Sequence, residues 1–465
     1  MTDFAVQDWL RADEVDAVLR ASIADDGRIR AVLQKARELN GLNKEDVTAL
    51  CAIDSPEQVD ALFDAARFVK ERIYGHRMVL FAPLYISNVC GNECSYCAFS
   101  SSNKRLPRTA LDMAAIGRET SALIRQGHKR ILLVAGEGYA AASGGFRYVL
   151  DAIASVYAVS EERGTIRRLN VNLAPLPVEE FRLLKEAGIG TYQLFQETYH
   201  RETYAAVHLS GKKRDFDWRA SALDRAMQAG LDDVGMGVLL GLHDWRFELL
   251  SLMQHIEHLE TRFGVGCHTI SVPRMEPADG SALSMTPPAP VSDHDFKKLI
   301  AILRLAVPYT GIILSTRESA AIRRECYALG VSQISAGSCT TPGGYGEGEN
   351  AAGQFQLGDH RSLGEVVQEL STLGFIPSFC TACYRLGRTG RDFMDLAKPG
   401  LIRLKCDPNA VTTFQEYLID FAPDMVRCVG EAAIDGVLDK MGVKARRNSE
   451  RMLGKIRAGQ RDVFC

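Results

Sequence analysis

Twelve cysteines stand in this 465-residue chain, and two spaced triplets among them have the pattern of metal ligands. The first is Cys90, Cys94 and Cys97 in SNVCGNECSYCAFS, a Cys-X3-Cys-X2-Cys spacing. The second is Cys380, Cys383 and Cys406, a Cys-X2-Cys-X22-Cys spacing. Thiolates are soft ligands for zinc or for iron–sulfur clusters. Three of them within eight residues, on a loop carrying Gly91 and Asn92, can wrap one compact cluster. A cubane has four irons, so three thiolates leave one iron open to another ligand. A structural zinc loop is the competing reading of the first triplet, although such sites tend to use paired Cys-X2-Cys knuckles. For the second triplet, zinc and a second iron–sulfur cluster stand level, with Cys428 available as a fourth ligand. Cys51, Cys267, Cys326, Cys339, Cys428 and Cys465 are scattered and read as buried or incidental thiols.

Other residues suit binding. Gly136-Glu137 places a carboxylate beside a residue that lets backbone approach closely, the means to hold an ammonium group. It also reads as a tight turn with a solvated glutamate. Asn172 and Glu197 suit hydroxyl or amino groups, or could be polar residues of a barrel layer. His268, at a strand start, is by type more often structural than a ligand. Arg317 can grip a carboxylate in a bidentate pair with Ser315 assisting, or can pair with Glu318 at a rim.

These residues need a frame to bring them together. Eight β-rich runs alternate with helical stretches: 78–86, 130–135, 169–174, 191–196, 233–240, 268–272, 311–316 and 332–336. Gly127, Gly164, Gly188, Gly230, Gly264 and Gly330 sit where left-handed helix caps are expected. The alternation predicts an α/β protein on a TIM-like (β/α)8 barrel, with a doubly wound sheet as the alternative. The chemistry-capable residues fall at the ends of these runs, where barrel active sites lie. The expected division is a helical N-terminal extension (1–75), the barrel (76–345) and a mainly helical C-terminal segment with the second triplet (346–465). In the first part, Ser55-Pro56 opens a helix that Gly75 closes. The glycine-rich stretch 343–358 reads as a connecting loop.

Composition narrows the class. The net charge of -3 gives no reason to expect nucleic acid or an anionic membrane as a partner. The absence of a long apolar run and of a signal-like N-terminus leads to the expectation of a cytoplasmic protein. Close-spaced cysteines in that compartment point to metal or redox chemistry rather than disulfides.

The first triplet, with Tyr96 as the aromatic residue of Cys-X3-Cys-X-aromatic-Cys, resembles the defining motif of the radical SAM superfamily. The resemblance implies a [4Fe–4S] cluster on Cys90, Cys94 and Cys97 whose open iron chelates S-adenosyl-L-methionine. It implies Gly136 and Glu137 at the methionine amino group, Tyr96 at adenine, and Asn172 and Glu197 at ribose or methionine. VGMGVLLGL (234–242) is similar to the glycine segment of the fifth strand. The wording CTACYRLGRTGRDFM, together with the second triplet, resembles the HydG family of [FeFe]-hydrogenase maturases across essentially the whole chain. The related thiazole-synthesis tyrosine lyases lack that triplet.

The resemblance implies a lyase that cleaves tyrosine at Cα–Cβ to p-cresol and dehydroglycine, then forms carbon monoxide and cyanide for an Fe(CO)(CN) unit of the H-cluster. An auxiliary cluster on Cys380, Cys383 and Cys406, an extra iron on His268, and a tyrosine carboxylate on Arg317 and Ser315 follow from it. So do cysteine, an electron donor such as ferredoxin or flavodoxin, and other hydrogenase maturation proteins as partners. No residue stands out as a general base for tyrosine. A non-catalytic iron–sulfur scaffold and a zinc-stabilised binding protein are the competing classes.

Overall fold

The computed structural model describes residues 5–138, 144–346, 353–397 and 401–465. Its eight main strands are β1 (Arg77–Ser87), β2 (Arg130–Ala135), β3 (Arg168–Asn172), β4 (Tyr192–Glu197), β5 (Val234–Val238), β6 (Thr269–Ser271), β7 (Gly311–Leu314) and β8 (Gln333–Ser335). Each pairs in parallel with the next, and β8 returns to β1, with Leu80 opposite Ile334, so the sheet closes into a barrel. The doubly wound alternative is thereby excluded. Strands of a parallel sheet are covered on both faces, which is why β1, RMVLFAPLYIS, is apolar along most of its length and almost wholly buried.

A ninth strand, β9 (Ile376–Ser378), lies beside the first residues of β1, with Arg77 opposite Ile376 and Val79 opposite Ser378. β2 takes the same edge of β1 higher up, from Ala82 onward. The C-terminal segment, otherwise helical as expected, is therefore stitched to the amino end of the barrel. One hydrophobic core runs from Val6 to Leu453 through all of these parts.

The helix Pro56–Tyr74 begins at Ser55, whose side chain accepts from Gln58 N at 3.2 Å, and ends at Gly75 with φ 58°. Its buried Val59, Leu62, Ala66, Val69 and Ile73 repeat at helical spacing and pack into the core. Two expected caps differ. Gly330 has an extended φ of 173°, and Gly164 lies in a short hairpin (Ser160–Glu161 with Gly164–Thr165) instead of at a helix end. β5, β6, β7 and β8 stop one or two residues before the apolar runs do, because the last residues of those runs turn into the loops of the site. Of the glycine-rich stretch, 347–352 lies outside the described residues, and its flanks do more than connect. Among the described residues no helix is long and apolar enough to cross a membrane.

Candidate active site

β1 runs directly into the first cysteine loop, and Gly136-Glu137, at the end of β2, lies against it. Gly91 N donates to the Glu137 carbonyl at 2.9 Å, and Asn92 Nδ2 to the Glu137 carboxylate at 2.6 Å. A Cβ on Gly136 would fall 2.6 Å from the Val89 carbonyl, so only glycine permits this approach. On its other side the loop is held by pairing of Glu93–Cys94 with His208–Ser210. Burial pushes the Cys94 thiol up to about 12 and raises Cys97 as well, so a metal must displace protons to bind there.

Inside the mouth of the barrel one cavity is lined by Tyr96, Cys97, Asn172, Glu197, Ser315 and Arg317. The structure thus gathers these six residues from across the chain at one place. Glu137 faces a neighbouring cleft with Gly91 and Asn92, while Gly136 packs on Val89. The Tyr96 hydroxyl lies 2.8 Å from His208 Nε2. Asn172 Nδ2 donates to the Gln193 carbonyl at 2.9 Å. Glu197 has a left-handed φ of 74°, a strained conformation for a residue with a side chain. Burial alone would raise its carboxyl, but Lys213 at 2.6 Å and Arg219 at 3.1 Å outweigh burial and hold it below the ordinary value. It is a buried, charged acceptor.

Arg317 does not pair with Glu318. Arg274 takes that carboxylate, with Nε 3.1 Å from both oxygens. Among the described residues the Arg317 guanidinium makes no hydrogen bond or ion pair; it stacks 3.3 Å from the centre of the Phe355 ring. Such a cation beside a cavity is suited to a carboxylate of a ligand.

The second triplet lies at the opposite, amino end of the strands. Its cavity is lined by Arg77, Arg130, His268, Cys380, Cys383 and Cys406. Ala382 N points at Cys380 Sγ from 3.4 Å, and Arg130 Nη2 donates to the Cys380 carbonyl at 2.7 Å. The Cys383 and Cys406 thiols act on one another, which lowers the first and raises the second. His268 Nδ1 lies 3.9 Å from Asp233, which lies 3.6 Å from Arg168; among the described residues neither Asp233 oxygen accepts a hydrogen bond. Burial lowers His268 and favours the neutral, metal-binding ring. Cys428 is exposed and does not line this cavity.

Both donor sets suit iron–sulfur clusters: three soft sulfurs apiece, each set beside a cavity, and at the second the partly exposed His268 beside the buried Asp233. Among the described residues no three His, Cys, Asp or Glu side chains converge at single-ion spacing. Thiolates of a cubane bind different irons and do not have to. Along β1, at about 3.3 Å per residue, the two sites are roughly 30 Å apart.

Several residues of these sites were not singled out in the sequence. Arg77, Arg130 and Arg168 open three consecutive strands, a repeated basic residue that was a visible signal. Lys213, Arg219, Asp233, Gln354 and Phe355 carry no pattern that marks them.

A closed parallel barrel with this cysteine loop after its first strand defines a radical SAM enzyme. The Radical SAM superfamily model matches residues 84–253, and that of the Biotin and Thiamin Synthesis associated domain matches 271–376. The 2-iminoacetate synthase of Escherichia coli K12 is 33% identical over 82% of this chain and 98% of its own. A crystal structure of HydG, a maturase of the [FeFe]-hydrogenase, is 44% identical with a TM-score of 0.95, covering 98% of this chain and all of that one. The HydG of Carboxydothermus hydrogenoformans is 42% identical with a TM-score of 0.83, covering 97% of this chain and all of that one. The chain belongs to the radical SAM superfamily and, within it, to the HydG and 2-iminoacetate synthase family of enzymes. Membership implies a [4Fe–4S] cluster and S-adenosyl-L-methionine.

Proposed function

We propose that this HydG-like enzyme is a tyrosine lyase of [FeFe]-hydrogenase maturation. It cleaves the tyrosine Cα–Cβ bond to p-cresol and dehydroglycine, and carries dehydroglycine on to carbon monoxide and cyanide for an Fe(CO)(CN) unit. The observation that carries this reading is a pair of three-cysteine sites at the two ends of one barrel, with Arg317, which has no ion pair among the described residues, in the first cavity.

In this reading Cys90, Cys94 and Cys97 hold the catalytic cluster. Tyr96, Gly136, Glu137, Asn172 and Glu197 hold S-adenosyl-L-methionine. Cys380, Cys383 and Cys406 hold the auxiliary cluster, and His268 an extra iron destined for the product. When bound, the first cluster and S-adenosyl-L-methionine supply a radical that takes a hydrogen from the amino group of tyrosine. Arg317 and Ser315 fix the tyrosine carboxylate, and Phe355 excludes water from the guanidinium. Glu197, kept charged by Lys213 and Arg219, offers an acceptor to hydroxyl or ammonium groups. The same reading divides the chain into a helical extension (1–75), the barrel (76–345) and the auxiliary-cluster segment (346–465). Cysteine, a ferredoxin or flavodoxin, and other maturation proteins are the proposed partners.

Anaerobically reconstituted protein, given reductant, S-adenosyl-L-methionine and tyrosine, should release p-cresol and 5'-deoxyadenosine and form infrared-detectable iron–CO and iron–CN species. Failure to form both p-cresol and 5'-deoxyadenosine rejects the proposal. A second reading, a lyase that stops at dehydroglycine for thiazole synthesis, is favoured by the likeness to 2-iminoacetate synthase. It requires p-cresol without carbon monoxide or cyanide.

A further inference from the structure

The second, described half of the glycine-rich stretch reaches the first cysteine site. Gln354 N donates to the Thr340 carbonyl at 3.1 Å, and its own carbonyl accepts from Ala98 N, next to Cys97, at 3.3 Å. Both main-chain groups are therefore pinned, one to the barrel mouth after β8 and one to the cysteine loop. The side chain is then fixed at two points. Gln354 Oε1 accepts from the Tyr85 hydroxyl at 2.8 Å, and Nε2 lies 3.7 Å from Cys97 Sγ. Tyr85 is itself buried on β1, with the Phe99 ring edge-on at 6.0 Å.

This arrangement fixes which end of the amide meets the sulfur. A carboxamide has one acceptor end and one donor end. Turning it over would set a carbonyl oxygen against an electron-rich thiolate, which is repulsive, so a metal-bound Cys97 selects the orientation with NH2 toward sulfur. Hydrogen bonds to cluster sulfurs are one of the levers that set a cluster's reduction potential. A donor stabilises the reduced, more negative cluster more than the oxidised one, and so raises the potential.

We infer that Gln354 is a tuning residue: it donates a hydrogen bond to the cluster sulfur of Cys97, raises the reduction potential of the catalytic cluster, and is held in that pose by Tyr85. The inference rests on Cys97 being a cluster ligand, and the test separates the two claims.

The test uses the full chain in a Cys380→Ala/Cys383→Ala background, so that one cluster gives the signal, with iron content and a paramagnetic-resonance redox titration as readouts. Gln354→Leu should keep the parent's iron and move the midpoint potential to a more negative value. Gln354→Glu should move it further in the same direction, because a carboxylate cannot donate and adds negative charge. Tyr85→Phe, which frees the amide, should give a smaller negative shift. Unchanged potentials in Gln354→Leu and Tyr85→Phe at full iron content reject the tuning role. Loss of iron in both Gln354 variants, with Tyr85→Phe like the parent, rejects it in favour of a purely structural strap. If Cys97→Ala retains the full cluster signal, the premise that Cys97 is a ligand fails instead, whatever the Gln354 variants do.

Discussion

Arg274 clasps Glu318, and among the described residues the adjacent Arg317 pairs with no carboxylate. Arg274 Nε sits 3.1 Å from both oxygens of Glu318, a side chain only 1% exposed, and its Nη1 reaches Asp293 at 2.7 Å. Arg317 lines the cavity stacked on Phe355 and, among the described residues, in an ion pair with no carboxylate.

Arg317 is therefore expected to carry substrate affinity. Charge-assisted hydrogen bonds contribute about 1.5–3 kcal/mol, so Arg317→Ala should raise the KM for tyrosine about 10- to 100-fold. Arg317→Lys should recover only part of this, because an ammonium lacks the planar fork. Initial rates of p-cresol formation over a tyrosine series measure both. An unchanged KM in Arg317→Ala would place the carboxylate elsewhere.

Cys94→Ala should remove about four irons per chain and abolish 5'-deoxyadenosine formation, since two thiolates do not hold a cubane. Iron analysis and chromatography of the nucleoside read these together.

Cys380→Ala should act at the other end of the barrel only. p-Cresol formation should stay within about twofold of the parent, while iron–CO and iron–CN bands disappear from the infrared spectrum, because the first triplet and its cavity lie at the other end of the strands that the two cavities share. Loss of p-cresol in folded, cluster-loaded Cys380→Ala would contradict this separation.

Asp233 should steady His268. A carboxylate behind a metal-binding imidazole orients the ring, and losing such a partner commonly costs about 10- to 100-fold in metal affinity. Asp233→Asn should weaken retention of one iron at the second site without loss of the cubane, as read by iron stoichiometry after dialysis against a mild chelator. Equal retention in variant and parent would show that the 3.9 Å approach has no such role.

Glu248 makes stability depend on pH. It is fully buried, accepting from Tyr199 N at 2.8 Å and from the Thr198 hydroxyl, and so anchors the turn just after the strained Glu197. Burial, only partly offset by these two bonds, pushes its carboxyl from 4.5 up to about 8. The folded state holds this proton more tightly than the unfolded chain. Its contribution is therefore complete below about pH 4.5 and is lost as the pH rises to about 8. Glu248→Gln carries no charge; its amide oxygen can accept from Tyr199 N while its NH2 donates to the Thr198 hydroxyl oxygen. Its thermal midpoint should vary less across that window and exceed the parent's by a few degrees at the alkaline end, as followed by circular dichroism. A parallel pH profile for parent and variant would show that Glu248 does not ionise in the folded protein.

Much of the frame was legible because it rests on local rules. Runs that must be buried on both faces are continuously apolar, so β1 to β8 stand out, and β2 matches its expected bounds at both ends. The short ladders of β6 and β8 were placed but overextended, since the residues after them are equally apolar and only the site decides where pairing stops. β9 escaped notice: three residues containing Pro377 have no strand signature, and they pair because the first residues of β1 leave an edge open.

The amino-acid sequence by itself determined the two cysteine triplets and their spacing, the alternation that closes a barrel, and hence three thiols just after the first strand. These are properties of neighbours along the chain, where a few residues set both conformation and chelation. Only the tertiary structure decided that the second triplet lies beneath the barrel with His268, that Arg274 rather than Arg317 holds Glu318, and that Gln354 reaches Cys97 across 257 residues. Those contacts depend on the register in which eight strands close and on where β9 docks. Side chains far apart in sequence meet only once that closure is complete.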